Sequence, residues 1–204
     1  TSLVCIENTH NKCHGFPLEL DYINSVCTIA HENNIKVHMD GARLFNACIA
    51  LDESADKITK NVDSVTFCLS KGLASPIGSI ICGSADFIAE ARRIRKSLGG
   101  GMRQTGIIAA AGIVSLNKMR NRLKDDHANA TYLANGLHKL SGIDLNIDYV
   151  PTNIIFFNFD HPNISSYDLV NHMKSHGILF SDYNGKHCRL VLHHGISRHD
   201  VEKV

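Results

Sequence analysis

Asp40 and Lys71 each follow a short apolar run, Ile35-Lys36-Val37-His38-Met39 before the first and Ser64-Val65-Thr66-Phe67-Cys68-Leu69 before the second. A carboxylate can hold a proton on a heteroaromatic ring nitrogen, and a lysine that has shed its own proton can attack an aldehyde. At the ends of neighbouring strands the two would suit pyridoxal 5′-phosphate, whose ring accepts an electron pair best when its nitrogen is protonated. Each residue alone also has an ordinary use. Asp40-Gly41 is a frequent turn pair, and lysine is usually solvated.

Positioning such a pair requires a layered fold, and the spacing predicts one. Leu3 to Ile6 reads as a buried strand running into the polar loop Glu7-Asn8-Thr9-His10-Asn11. A helix is expected from Pro17, with Leu20, Ile23, Cys27 and Ala30 on one face. Strands follow at Ile35 to Met39, Ser64 to Leu69 and Gly78 to Cys82, with a helix from Ala42 to Leu51. This alternation argues for an α/β domain with a mainly parallel sheet, where ligands sit at the carboxyl ends of the strands. Asn8, Asp40 and Lys71 all fall at such ends. Beyond Gly99-Gly100-Gly101 a helix is expected from about Gln104 to Met119, then a long one from Asp125 to Leu140. The pattern then changes to a strand (Asn153 to Phe159), a helix (Tyr167 to His176), two strands (Ile178 to Ser181, Cys188 to Leu192) and a helix opened by Ser197-x-x-Asp200. Residues 1–125 are therefore expected to form one large-domain portion and residues 126–204 a smaller α/β domain.

Three stretches together, Val37-His38-Met39-Asp40-Gly41-Ala42-Arg43, Leu69-Ser70-Lys71-Gly72-Leu73 and Gly99-Gly100-Gly101-Met102-Arg103-Gln104, resemble the low-specificity L-threonine aldolases, members of the fold-type I pyridoxal phosphate enzymes. The resemblance implies a partial large domain with a mainly parallel sheet and a small C-terminal α/β domain. It implies that Lys71 carries the cofactor and that Asp40 faces the ring nitrogen. Ser70 would bond the phosphate, and Asn8 and Arg43 would lie near the phenolic oxygen. Arg189, in Cys188-Arg189-Leu190-Val191-Leu192-His193, would clamp the substrate carboxylate with its planar fork, assisted by Arg43. Lys96 and Arg103 match positions at the mouth of the site, Arg103 towards the cofactor and Lys96 towards the substrate, where they would act across a subunit interface. The implied reaction is cleavage of L-threonine or L-allo-threonine to glycine and acetaldehyde, in a homo-oligomer (dimer or tetramer). A histidine or an ordered water would take the β-hydroxyl proton. Two other readings stand beside it: a β-eliminating lyase of the same fold, and a truncated remnant without catalysis that serves as an interaction partner.

The resemblance implies that the family's phosphate-binding loop and its ring-stacking histidine would belong to a segment of roughly 120 residues upstream of Thr1, judged from usual domain sizes. Cys13-His14-Gly15-Phe16-Pro17 is shorter than the family loop and lacks its Gly-Gly pair. The apolar sheet edge left by missing strands would favour aggregation. With 21 Lys and Arg against 20 Asp and Glu, a net charge of +1 gives no case for nucleic acid. No window reaches the roughly 18 apolar residues of a membrane span. Seven scattered cysteines without a C-x-x-C read as reduced thiols of a cytoplasmic protein. No metal is expected: His10-Asn11-Lys12-Cys13-His14 has no matching second cluster, and after His31-Glu32 Ile35 stands where a zinc-protease motif needs histidine.

Overall fold

The computed structural model of the chain describes residues 1–183 and 185–204. It divides into two compact units, one of residues 1–9 and 17–121, the other of residues 10–16 and 122–204. The contacts thus draw His10–Phe16 into the second unit, although the sequence leaves that segment with the first.

In the first unit β1 (Leu3–Glu7), β2 (Lys36–Asp40) and β3 (Ser64–Cys68) run parallel, and β4 (Ser79–Gly83) returns antiparallel to β3. The sheet is mixed and mostly parallel, with order β1-β2-β3-β4. Helix α1 (Leu20–Glu32) starts after Pro17 and buries Ile23, Cys27 and Ala30, the stripe expected of it. These pack with Val37 and Met39 of β2, Val65 of β3, Leu44 and Ala47 of α2 (Leu44–Leu51), and Ile58 of the short α3 (Ala55–Ile58), which the sequence did not suggest. Full burial of an aliphatic side chain contributes about 1.5–3 kcal/mol, so this cluster anchors β2 and β3. Helix α2 starts two residues later than expected, because Asp40 Oδ1 accepts the Ala42 N–H (2.9 Å) and holds Gly41-Ala42 in a turn.

Helix α4 (Ala85–Ser97), capped by Ser84, buries no residue and leaves Phe87, Ile94 and the following Leu98 exposed, as are Ile80 and Ile81 of β4. Helix α5 (Gly106–Val114) widens into a π-helical turn at Ser115–Met119, where an unbroken α-helix was expected. Buried Ser115 points there to Ser75.

The second unit has an antiparallel sheet of order β5-β6-β8-β7, from β5 (Ile143–Asp144), β6 (Ile154–Phe159), β7 (Ser181–Tyr183) and β8 (His187–Val191). Strand β7 lies later than the Ile178 to Ser181 expected from the sequence. Alternation along β6 and β8 sends Ile155, Phe157, Cys188 and Leu190 into a core with Ala130, Leu133, Ala134 and Leu137 of α6 (Leu123–Leu137). Phe156, Asn158, His187 and Arg189 share the opposite face. Capping boxes open α7 (Ser166–Ser175) and α8 (Arg198–Val201), the second from the Ser197-x-x-Asp200 read in the sequence. Among the described residues no helix is long and apolar enough to cross a membrane.

Candidate active site

Because β1, β2 and β3 are parallel, their carboxyl ends share one edge, and the register pairs Glu7 with Asp40 and Asp40 with Thr66. The ladder continues past the strands: Asn8 N–H donates to the Asp40 carbonyl (2.9 Å), and Gly41 N–H to the Thr66 carbonyl (2.7 Å). The sheet thereby sets Asn8, Asp40 and the loop carrying Ser70 and Lys71 along one edge.

Asp40 is exposed, and its Oδ2 has no protein partner among the described residues. Gly41 is needed beside it, since a Cβ there would lie 2.7 Å from the Thr66 carbonyl oxygen. Arg43, half-buried, directly precedes α2. Asn8 is fully buried; its Oδ1 accepts the Leu18 N–H (3.1 Å), while its Nδ2 lacks a partner, as does the buried Thr9 hydroxyl. An unmet buried donor at a ligand-facing edge is costly unless something else satisfies it.

Ser70 and Lys71 are exposed on a loop with a rigid base. Leu69 N–H donates to Gly78 O (2.9 Å), Ser75 N–H to Leu69 O (3.0 Å) and Ala74 N–H to Lys71 O (2.9 Å). Leu69 and Leu73 are buried beneath it. The Ser75 hydroxyl meets that of Ser115 at 2.9 Å, tying the loop to the π-helical turn. Gly112 lets Leu69 approach α5, since a Cβ there would sit 3.0 Å from Leu69 Cδ1. Lys71 forms no ion pair among the described residues, so none of their carboxylates competes for its amine. Lys96, at the end of α4, and Arg103 are exposed, and no hydrogen bond or ion pair among the described residues joins either to Asp40 or Lys71.

In the second unit Arg189 is half-buried on β8. Its Nη1 donates to Asn11 Oδ1 (2.7 Å) and to the Tyr183 hydroxyl (3.4 Å), while its buried Nε lacks a partner. No carboxylate pairs with it among the described residues. The sequence reading passed over Asn11 and Tyr183. Asn11, the second asparagine of Glu7-Asn8-Thr9-His10-Asn11, was the available signal.

A sequence profile of the beta-eliminating lyase family matches residues 1–160. The chain belongs to this family. It is 44% identical over 202 residues to low-specificity L-threonine aldolase 1 of Arabidopsis thaliana, covering 98% of this chain and 56% of that protein. It is 39% identical over 204 residues to the low specificity L-threonine aldolase of Escherichia coli K12, covering 100% of this chain and 58% of that protein. The chain thus spans little more than half the length of these relatives. Among solved structures, Leishmania major threonine aldolase superposes with a TM-score of 0.77 at 17% identity, covering 99% of this chain and 58% of that one. A PLP-dependent aminotransferase from Streptococcus suis 89-1591 superposes at 0.72 with 15% identity, covering 100% and 55%. The fold is that of type I pyridoxal phosphate enzymes, and pyridoxal 5′-phosphate is the cofactor indicated for this lyase family. The residues fit it: among the described residues, a lysine without an ion pair, an acid with one oxygen anchored and one without a partner, and a buried unmet amide donor stand at one sheet edge.

Proposed function

We propose that the protein containing this chain cleaves L-threonine or L-allo-threonine to glycine and acetaldehyde. The single observation that carries the reading is the placement of Lys71, without an ion pair among the described residues, and half-anchored Asp40 at the carboxyl ends of the parallel strands β2 and β3, in a lyase-family chain whose relatives are named threonine aldolases. When bound, pyridoxal 5′-phosphate supplies the sink for the electron pair left by a bond broken at the amino acid's Cα.

The chain's own residues hold and aim. Lys71 anchors the cofactor aldehyde through its amine. Asp40 Oδ2 holds the proton on the ring nitrogen, with Oδ1 fixed by the Ala42 N–H. Asn8 Nδ2 and Arg43 act at the phenolic oxygen, and Ser70 gives its hydroxyl to the phosphate. Arg189 takes the substrate carboxylate, with Arg43 as a second cation. Orientation matters because holding the amino acid by its carboxylate and its amino group would fix its reacting bond, and positioning of this kind can supply roughly 7–11 kcal/mol. Lys96 and Arg103 serve the mouth of the site from a neighbouring copy, in a homo-oligomer working in the cytoplasm.

The test is threonine-dependent release of acetaldehyde, with Lys71→Ala as control. It is run on the 204-residue chain and on a fusion restoring the part of a relative that the chain does not match. Turnover by the fusion that Lys71→Ala abolishes supports the reading. A fusion that binds the cofactor yet eliminates from serine or cysteine and leaves threonine intact would replace it with β-elimination. Full turnover by the short chain would overturn the expectation that the phosphate-binding part lies upstream.

A further inference from the structure

We infer that Asn11 and Tyr183 are positioning residues that set the guanidinium of Arg189 for a substrate carboxylate, an inference that rests on the role proposed for Arg189 above. The placement begins with strand alternation. Cys188 and Leu190 are buried in the core, so Arg189 must project from the other face of β8, where Phe156 of β6 and Ser181 of β7 are its register partners. A guanidinium carries five N–H donors in a fixed plane and accepts nothing. The atom of Asn11 that meets Nη1 at 2.7 Å is therefore its carbonyl oxygen. The Tyr183 hydroxyl takes a longer second bond from Nη1 (3.4 Å), and Arg189 Cζ lies 5.5 Å from the Tyr183 ring centroid. One nitrogen is thereby tied from two directions.

The other donors are left over. Nε is buried without a partner, and Nη2 has none among the described residues. Nε and Nη2 form one edge of the planar fork, the two-donor edge that matches a carboxylate. The acceptors that hold Nη1 are neutral, so they fix the plane without cancelling its charge. An aspartate at position 11 would hold the same atom but form an ion pair, competing with the carboxylate the fork is proposed to bind. This accounts for an amide rather than an acid opposite a half-buried cation, and for an arginine without an acidic partner among the described residues. Asn11 comes from the short 3-10 turn Asn11–Cys13, which the contacts group with β6 and β8, so holding Arg189 gives that grouping a purpose.

The experiment compares Asn11→Asp, Asn11→Ala, Tyr183→Phe and Arg189→Lys in the aldolase-competent polypeptide. It reads KM for threonine, kcat, cofactor absorbance and melting temperature. In parallel, the Arg189 Nε–H resonance is titrated with acetate in the absence of substrate. Hydrogen bonds to charged groups set the scale, so Asn11→Ala should raise KM about tenfold or more, with kcat and cofactor absorbance little changed. Asn11→Asp, nearly isosteric, should raise KM further and abolish the acetate-dependent shift while leaving the melting temperature in place. Tyr183→Phe, which keeps the ring, should have the smallest effect. If Arg189→Lys raises KM while both Asn11 variants match the parent in KM and in acetate titration, the positioning role is wrong and the clamp stands. If Arg189→Lys leaves KM unchanged, the clamp itself is wrong. If Asn11→Asp binds acetate as the parent does, neutral holding of the fork is refuted.

Discussion

Replacing Asp63 with asparagine should make the first unit less stable at neutral pH and no less stable in acid. Asp63 directly precedes β3 and ties it to β2. Its Oδ2 accepts the Val37 N–H (2.8 Å) and meets His31 Nε2 (2.9 Å), its Oδ1 accepts from Lys36 Nζ (2.7 Å), and its N–H donates to the Val37 carbonyl (2.9 Å). Burial alone would raise the carboxyl pKa, but Lys36, the Val37 amide and His31 together outweigh it and bring the value down from 3.8 to about 2. A depressed acid stabilises the fold fully above its unfolded value and loses that contribution as pH falls through the folded value, so the window runs from about 4 down to about 2. A shift of this size corresponds to roughly 2.4 kcal/mol at about 1.36 kcal/mol per pKa unit. The side chain is 24% exposed, and solvent screening reduces the expectation to about 1–2 kcal/mol. Urea unfolding of parent and Asp63→Asn at pH 7, 4 and 2.5 measures it. The gap should be about 1–2 kcal/mol at pH 7 and largely gone at pH 2.5. A gap constant with pH would show that Asp63 acts through packing or its backbone bond, and no gap at pH 7 would show that its three partners are screened away.

Three further outcomes bear on the site. Borohydride reduction of the cofactor-loaded protein should leave a pyridoxyl group on the peptide containing Lys71, and a label on Lys57 or Lys96 would overturn that assignment. Asp40→Asn should lower turnover about a hundredfold or more with the fold intact, since it removes the charge proposed to face the ring nitrogen and keeps the volume; near-normal kcat would reduce Asp40 to a turn residue. Gly41→Ala should cost about 1–3 kcal/mol and weaken cofactor absorbance, because the added methyl meets the Thr66 carbonyl oxygen at 2.7 Å. Unchanged stability would mean that the β2–β3 edge yields at that point.

The layered sheet was legible because its signals are local. Apolar runs of four to six residues ending in polar or glycine-containing loops predicted β1, β2, β3 and β4, and the helical stripe of Ile23, Cys27 and Ala30 is buried as its spacing required. Asp40 and Lys71 could be placed at strand ends for the same reason, since a position at the end of a run needs no knowledge of the partner strand. What stayed hidden depends on partners distant in sequence. The π-helical turn at Ser115–Met119 accommodates a hydroxyl contact with Ser75, and the sequence of that helix alone gives no reason to widen it. The late start of α2 follows from one side-chain bond, Asp40 to the Ala42 amide, that competes with the first helical turn. The hardest case is Asn11, whose partner Arg189 lies 178 residues away. Its residue type suggested a turn, and it does sit in one, so local reasoning had nothing to contradict. The signal lay instead in the strand itself: an arginine between two buried residues must find acceptors on the sheet's other face, where β6 and β8 place Ile154, Phe156, Asn158, His187 and Val191. Within the sheet the Tyr183 hydroxyl of β7 gives one long bond at 3.4 Å, so the closer acceptor had to come from outside it, and the polar loop after β1 was rich enough in amides to be that segment.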